Sequence, residues 1–228
     1  MNFPTHILNT FFKRNDPLKG IFSVWGDFGV GKTTFALQTA INSAKIGKRV
    51  IFIYTKPNFP LEKVNMMKSF KMLDNIAFIQ TTNFNELNKI TFNFEFLILK
   101  FLKENNESFD LIVIDSLTNL YRIELNKNKK EKNYNLNYQL SQILANLCYI
   151  NETYGIEILI INEISRKNIN DRIIEVQSGG KVMEYWVTYS IKLMRTKKLN
   201  ERKFILTKDP ENKSISYKSI LTENGFEK

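Results

Sequence analysis

The sequence predicts an α/β protein: a mainly parallel sheet flanked by helices, with an antiparallel meander at its C-terminal end. Three observations carry this expectation. Apolar runs of strand length alternate with segments of helical periodicity through most of the chain. The runs Val50–Tyr54 and Leu111–Ile114 are unbroken and rich in β-branched residues, the pattern of strands buried on both faces. From Trp186 onward the alternation stops, and Trp186–Met194, Arg202–Thr207 and Ser214–Leu221 read as strands joined by tight polar turns.

Residues 1–20 are mixed and polar and suggest no element. Ile21–Trp25 reads as a short buried strand and Gly26–Gly31 as a glycine-punctuated loop. Residues 32–46 read as a helix, with Phe35, Leu37, Ala40, Ile41 and Ala44 at helical spacing and Gly47 as the stop. Pro57 and Pro60 interrupt the chain after the strand Val50–Tyr54. Residues 61–73 form a short helix, 76–79 a strand and 85–104 a helix; the strand Leu111–Ile114 follows and ends at Asp115. A lysine-rich polar stretch, 125–133, precedes a long helix in which Leu136, Leu140, Ile143, Leu144, Leu147 and Ile150 form one apolar face. Ile156–Ile161 is the next strand, and 165–180 a polar segment ending in Gly179-Gly180. With no internal repeat and no low-complexity linker, one domain over residues 1–228 is expected.

Composition narrows the function classes. A hydrophobic share of 43%, with 18 Phe in 228 residues, supplies a core and excludes wholesale disorder. A single cysteine, Cys148, and a single histidine, His6, exclude an intrachain disulfide, a cysteine zinc site and a histidine-clustered metal centre. Cys148 reads as core packing and His6 as surface. No uninterrupted apolar stretch reaches the ~18 residues of a membrane span, and Met1-Asn2-Phe3-Pro4 lacks the layout of a secretory signal. A reducing, cytoplasmic setting without membrane contact is expected. The net charge of +10 invites nucleic acid or anionic ligands, but a coding bias toward lysine yields the same sum, so clustering decides.

Gly26-Asp27-Phe28-Gly29-Val30-Gly31-Lys32-Thr33 satisfies G-x-x-x-x-G-K-T. Glycines let the backbone curl so that successive N–H groups face phosphate oxygens. The helix that follows, 32–46, points its N-terminus at the same anion. Lys32 reaches the β/γ-phosphates and Thr33 offers a hydroxyl to Mg²⁺. The expected context, a strand before and a helix after, is present. Asp115, closing an apolar strand, is placed to hold Mg²⁺ directly or through water.

These residues resemble a known family. Gly26–Thr34, Leu111–Ser116 followed by Leu120-Tyr121-Arg122, Leu159–Asn162, Gly179-Gly180 and the final Asn224-Gly225-Phe226 are similar to the RecA/RadA recombinase core, over almost the whole chain. The archaeal RadB group, an ATPase core without an N-terminal helical domain, has the nearest shape. The resemblance implies a RecA-like P-loop NTPase core with ATP and Mg²⁺ as cofactors. Gly26, Asp27, Phe28, Gly29, Val30, Gly31, Lys32, Thr33 and Thr34 would bind nucleotide, with Lys32, Thr33 and Asp115 catalytic and Thr33 and Asp115 on the metal. It also implies an accessory role in DNA recombination and repair: feeble ATP hydrolysis, DNA binding, and assistance to a main recombinase or a Holliday-junction enzyme.

The chain departs from the family pattern in three places. After the second strand, family members carry a glutamate that activates water; here Tyr54-Thr55-Lys56-Pro57 puts Lys56 in its place, and losing a positioned base costs ~10²–10⁴-fold in rate. After Asn162, where glutamine is usual on the γ-phosphate side, stands Glu163, whose carboxylate repels polyphosphate. The two changes are opposite in sign, so an ion pair between Lys56 and Glu163 is expected; the rival expectation is that Glu163 has become the base. Asp16-Pro17-Leu18-Lys19-Gly20 replaces the usual glycine-rich turn before the first strand. No N-terminal segment resembles the aromatic tether that joins recombinase protomers, which leaves filament formation open.

The two loops that line the recombinase DNA channel match 122–134 and 165–180. The first carries Arg122, Lys127, Lys129, Lys130 and Lys132 against Glu124 and Glu131, the second Arg166, Lys167 and Arg172 against Asp171 and Glu175. A third cluster, Lys197, Lys198, Arg202 and Lys203, lies in the meander. Mobile cationic loops suit backbone contacts to single-stranded DNA, although of the aromatic platforms such binding favours only Tyr134 borders the first loop. Trp186, at the start of a strand, reads as packing. Three other readings stay open: a KaiC-like signalling ATPase domain, a non-catalytic regulatory subunit acting through protein contacts, and a small-molecule phosphotransferase, for which no lid or acceptor pocket is evident.

Overall fold

The computed structural model describes residues 1–13, 16–67, 70–125, 128–169 and 171–227. The unbroken apolar runs form strands with every residue buried, as they must when helices cover both sheet faces: β2 (Val50–Tyr54) and β4 (Leu111–Asp115). With β1 (Ile21–Gly26), β3 (Ile76–Gln80), β5 (Glu157–Ile169) and β7 (Val187–Arg195) they pair in parallel. β8 (Glu201–Lys208), β9 (Ser216–Thr222) and β10 (Gly225–Phe226) add the antiparallel meander. The ten-stranded sheet runs β10-β9-β8-β7-β1-β5-β4-β2-β3, with β6 (Arg172–Gln177) paired to β5 off this path.

The period-2 alternation of side chains sends Phe22, Val24, Phe52, Val113, Leu159 and Ile161 to one face. There they meet α2 (Lys32–Lys45). Ile21, Ile51, Ile53, Ile112, Ile114 and Ile158 go to the other face. That side is covered by α4 (Phe84–Phe92), α5 (Phe94–Asn105), α6 (Leu117–Glu124), α7 (Lys130–Tyr154) and α8 (Gly180–Trp186). No helix among the described residues is long and apolar enough to cross a membrane.

Several local expectations are corrected. The N-terminal residues carry α1 (His6–Phe11), whose own cap makes no side-chain hydrogen bond. Tertiary packing holds it: Phe3, Leu8 and Phe12 are buried, and Phe3 lies 4.9 Å from the ring of Phe22. The helix expected over 61–73 is α3 (Leu61–Met66) followed by a 3₁₀ turn, Phe70–Asn75. The helix expected over 85–104 is broken at Asn93, which ends α4 and begins α5; asparagine favours such ends because its side chain competes for backbone groups. Asn83 caps α4 by accepting from the amides of Asn85 and Glu86 at 2.8 and 3.2 Å.

The polar segment 165–180 is no loop. β5 continues through it and turns back as β6 in an antiparallel hairpin, and Gly180 then opens α8. Trp186 therefore ends a helix, with its indole N–H donated to Ser141 Oγ at 3.0 Å. At the far end of the chain, Phe226 is pinned to α2 by Gln38: Nε2 donates to its carbonyl at 2.9 Å, and Oε1 accepts its amide at 2.7 Å.

Candidate functional site

The parallel registers bring the carboxyl ends of the central strands together, which is where open α/β sheets take ligands. Gly26 lies opposite Glu163 of β5, and Asp115 opposite Tyr54 and Ile161. The loop from Gly26 to Gly31 leaves β1 and enters α2, whose first amides face it. Gly26 must be glycine because a Cβ there would stand 2.2 Å from the Leu193 carbonyl oxygen of β7. Gly29, at φ +72°, sits under Arg195, whose Nη2 donates to the Phe28 carbonyl at 3.1 Å. The Phe28 ring is exposed at the tip. The Lys32 ammonium curls into the loop, donating to the carbonyls of Gly26 and Asp27 at 2.8 and 2.9 Å and pairing with Glu163 Oε2 at 3.0 Å.

Asp115 is fully buried, and neither carboxylate oxygen has a hydrogen-bond partner among the described residues. Burial raises its pKa; Lys56, Thr33 and Lys32 favour the ionised form and Glu163 opposes it, but burial prevails. Its position is set by Thr55, just past β2: the Thr55 amide donates to the Asp115 carbonyl at 2.8 Å, and the Thr55 hydroxyl both accepts the Ser116 amide at 2.8 Å and donates to the Ser116 carbonyl at 2.9 Å. The Asp115–Ser116 peptide is cis.

The ion pair expected between Lys56 and Glu163 is not formed. Lys56 Nζ lies 3.6 Å from Asp115 Oδ1, and Glu163 goes to Lys32. Lys56 lies beside Asp115 and Glu163 beside Lys32, so the partners are exchanged, because the strand register brings Glu163 to Gly26 while Lys56 follows the strand beside Asp115. Asn162 lies beneath, its Nδ2 donating to Ser23 Oγ and Gln177 Oε1, each at 3.0 Å.

A second cleft, of about 440 Å³, opens between α6, α7, the β5–β6 hairpin and α8; Tyr121, Arg122, Asn137, Gly179 and Lys181 line it. Arg122 Nη1 donates to the Ile164 carbonyl at 3.2 Å, and Tyr121 OH to Asn137 Oδ1 at 2.7 Å. The first cationic segment is largely helical: α6 runs to Glu124 and α7 starts at Lys130. Lys129, Lys130 and Lys132 are exposed, with Lys132 4.0 Å from Glu124. Lys127 lies outside the described residues, and Arg172 opens β6. Lys167 is exposed on the hairpin. Arg166 is committed elsewhere: its Nη2 pairs with Asp27 at 3.1 Å and Glu175 at 3.4 Å, tying the hairpin to the glycine loop. In the third cluster Arg202 is buried and donates to the carbonyls of Leu199 and Glu201 at 2.7 and 3.0 Å, so it braces its turn instead of facing a ligand.

A hard divalent cation fits the first site, whose donor set is the Thr33 hydroxyl and a buried carboxylate that accepts no hydrogen bond among the described residues and faces the Lys56 ammonium at 3.6 Å. The Rad51 family model matches residues 17–227. The chain belongs to the Rad51 family. It is 33% identical over 214 residues to the DNA repair and recombination protein RadB of Methanocaldococcus jannaschii, across 92% of this chain and 93% of the relative. It is 30% identical over 227 residues to the protein of that name from Methanococcus maripaludis strain C5, across 97% of each. The RadB of Methanobrevibacter smithii is 27% identical over 213 residues, across 90% of this chain and 86% of the relative. Rad51-family proteins bind ATP, typically with Mg²⁺, and recombination proteins of this kind act on DNA.

Within this Rad51-family chain the sequence reading missed Arg195 over the loop, Thr55 beneath Ser116, and Gln177 beside Asn162. Arg195 comes from β7, Gln177 from β6 and Thr55 from just past β2, placements that no local motif announces. It also missed two exposed aromatics. Tyr138 follows Tyr134 by one helical turn on α7, and Tyr185 follows Lys181 by one turn on α8.

Proposed function

We propose that this protein acts in DNA recombination and repair, taking up ATP with Mg²⁺ at Gly26–Thr34 and Asp115 and binding single-stranded DNA across α6, α7 and α8. Asp115 carries the reading: a buried carboxylate that accepts no hydrogen bond among the described residues and has Lys56 at 3.6 Å bears a desolvation cost that sharing a cation would relieve. Thr33 and Asp115 would hold Mg²⁺, which when bound neutralises charge between the phosphates. The loop and the first turn of α2 offer amides to phosphate oxygens, and Lys32 exchanges its present acceptors for them. Lys56 cannot take a proton from water, so hydrolysis is slow and nucleotide serves more as a ligand than as fuel. Arg122 at the second cleft and the exposed Lys129, Lys130, Lys132 and Lys167 meet phosphates without reading sequence, and Tyr134, Tyr138 and Tyr185 offer faces for unpaired bases. A main recombinase or a Holliday-junction enzyme is the partner this accessory role calls for.

The test is single-strand DNA binding with and without ATP and Mg²⁺ at two salt concentrations, with phosphate release followed in parallel. Affinity is expected to fall steeply with salt, with a log–log slope of roughly −0.7 per phosphate contacted. Arg122→Ala should weaken all sequences alike, and phosphate release should stay slow. Salt-insensitive or absent binding would overturn the DNA assignment. Brisk DNA-stimulated phosphate release would overturn the argument from Lys56.

A further inference from the structure

A lysine ammonium has three N–H donors, and those of Lys32 all have acceptors: the carbonyls of Gly26 and Asp27 and the carboxylate of Glu163, at 2.8, 2.9 and 3.0 Å. Two of these belong to the loop; the third is a full negative charge brought in on β5. Glu163 is fixed from several sides. It lies in register with Gly26, its amide donates to Thr118 Oγ1 at 3.0 Å, its carbonyl accepts the Ser178 amide at 2.8 Å, and its Oε1 accepts from Ser116 Oγ at 3.5 Å. The pair is shielded, Lys32 being 6% exposed and Glu163 16%. Lys56 does not neutralise the glutamate, since its ammonium faces Asp115.

In a loop of this type the backbone amides cradle the α- and β-phosphates and the lysine reaches the β–γ end. The γ-phosphate must therefore displace or repel the one carboxylate already on the lysine. A glutamine at the same place would bring no such charge.

We propose that Glu163 is a specificity-determining residue: its carboxylate holds the lysine contact that a γ-phosphate needs, and the site consequently prefers nucleoside diphosphate to triphosphate. The proposal rests on Gly26–Thr34 being a nucleotide site. Glu163 is bonded through its backbone to Ser178 at the base of the β5–β6 hairpin, so a triphosphate that does displace the side chain acts at the root of that hairpin.

The test is equilibrium binding of ADP and of a non-hydrolysable ATP analogue, each with Mg²⁺, to the full chain and to Glu163→Gln. Folding is checked by circular dichroism, and Glu163→Ala serves as a second variant that removes the charge. The native chain is expected to bind the diphosphate about tenfold more tightly, a difference of about 1.4 kcal/mol. Glu163→Gln is expected to tighten the triphosphate analogue about tenfold while leaving ADP within about twofold. A native preference for triphosphate, or equal tightening of both nucleotides, would overturn the proposal. So would unchanged triphosphate affinity with loss of ATP hydrolysis, which would make Glu163 the base. If the folded native chain binds neither nucleotide, the loop assignment falls and the proposal with it, an outcome distinct from the others.

Discussion

Asp115→Asn is expected to stabilise the nucleotide-free protein while removing its Mg²⁺-dependent affinity for nucleotide. The carboxylate is fully buried and accepts no hydrogen bond among the described residues, and burial raises its pKa. An amide of the same shape carries no charge to desolvate, a gain on the order of 1–3 kcal/mol. In a domain of this size each kcal/mol moves the melting midpoint by about 2–4 °C. Lys56, 29% exposed, keeps access to solvent and loses little. The sign with pH follows from the raised pKa: a native Asp115 that holds its proton more tightly than the unfolded chain helps stability at low pH, and that help is lost as pH rises through its folded pKa. The advantage of Asp115→Asn should therefore be present at neutral pH, shrink as pH falls through the raised folded pKa, and be gone below the ordinary carboxylate range. Melting curves with and without ADP and Mg²⁺ check both halves, since the native chain should gain stability from the ligand and the variant should not. A lower midpoint for nucleotide-free Asp115→Asn would mean that the carboxylate is a structural element of the strand end.

Gly26→Ala is expected to destabilise by about 3 kcal/mol or more. Its Cβ would meet the Leu193 carbonyl at 2.2 Å, and Gly26 and Leu193 are register partners in adjacent parallel strands. Backbone stands on both sides, so relief requires moving β1 from β7 at the root of the loop. Gly29→Ala is the contrast. Its Cβ would meet only the end of the flexible Arg195 side chain, at 2.7 Å, leaving the left-handed conformation to cost roughly 1–2 kcal/mol. Urea denaturation should rank Gly26→Ala well below Gly29→Ala in stability. Equal losses would show that strand proximity is not what demands glycine at Gly26.

The central sheet was legible because its strands are apolar without interruption and the helices between them keep a clear period. The loop and Asp115 were legible because their chemistry is local: glycines, a lysine and a threonine at fixed spacing, and a carboxylate at a strand tip. The β5–β6 hairpin escaped because Ser165, Arg166, Lys167 and Asn168 hide a strand that leaves the covered sheet. α1 escaped because the rings that anchor it, Phe3 and Phe12, flank it and pack on distant Phe22, while its own apolar residues form no stripe. Lys56 and Glu163 were found as departures from a pattern, but their partners were not: which cation meets which carboxylate depends on the parallel register and on how far each side chain reaches. Arg166 and Arg202 were counted as DNA contacts because charge is visible in a sequence; that Asp27 and nearby carbonyls already hold them is not.

The central claim is that the bend from Gly26 to Thr34, facing Asp115, holds a magnesium nucleotide. Equilibrium nucleotide binding to the native chain and to Lys32→Ala, each with Mg²⁺ and with the metal chelated, tests it most directly. Saturable binding that requires Mg²⁺ and falls by about 10²-fold in Lys32→Ala is predicted. Binding that ignores both the metal and the loss of Lys32, or no binding by a folded native chain, would contradict it.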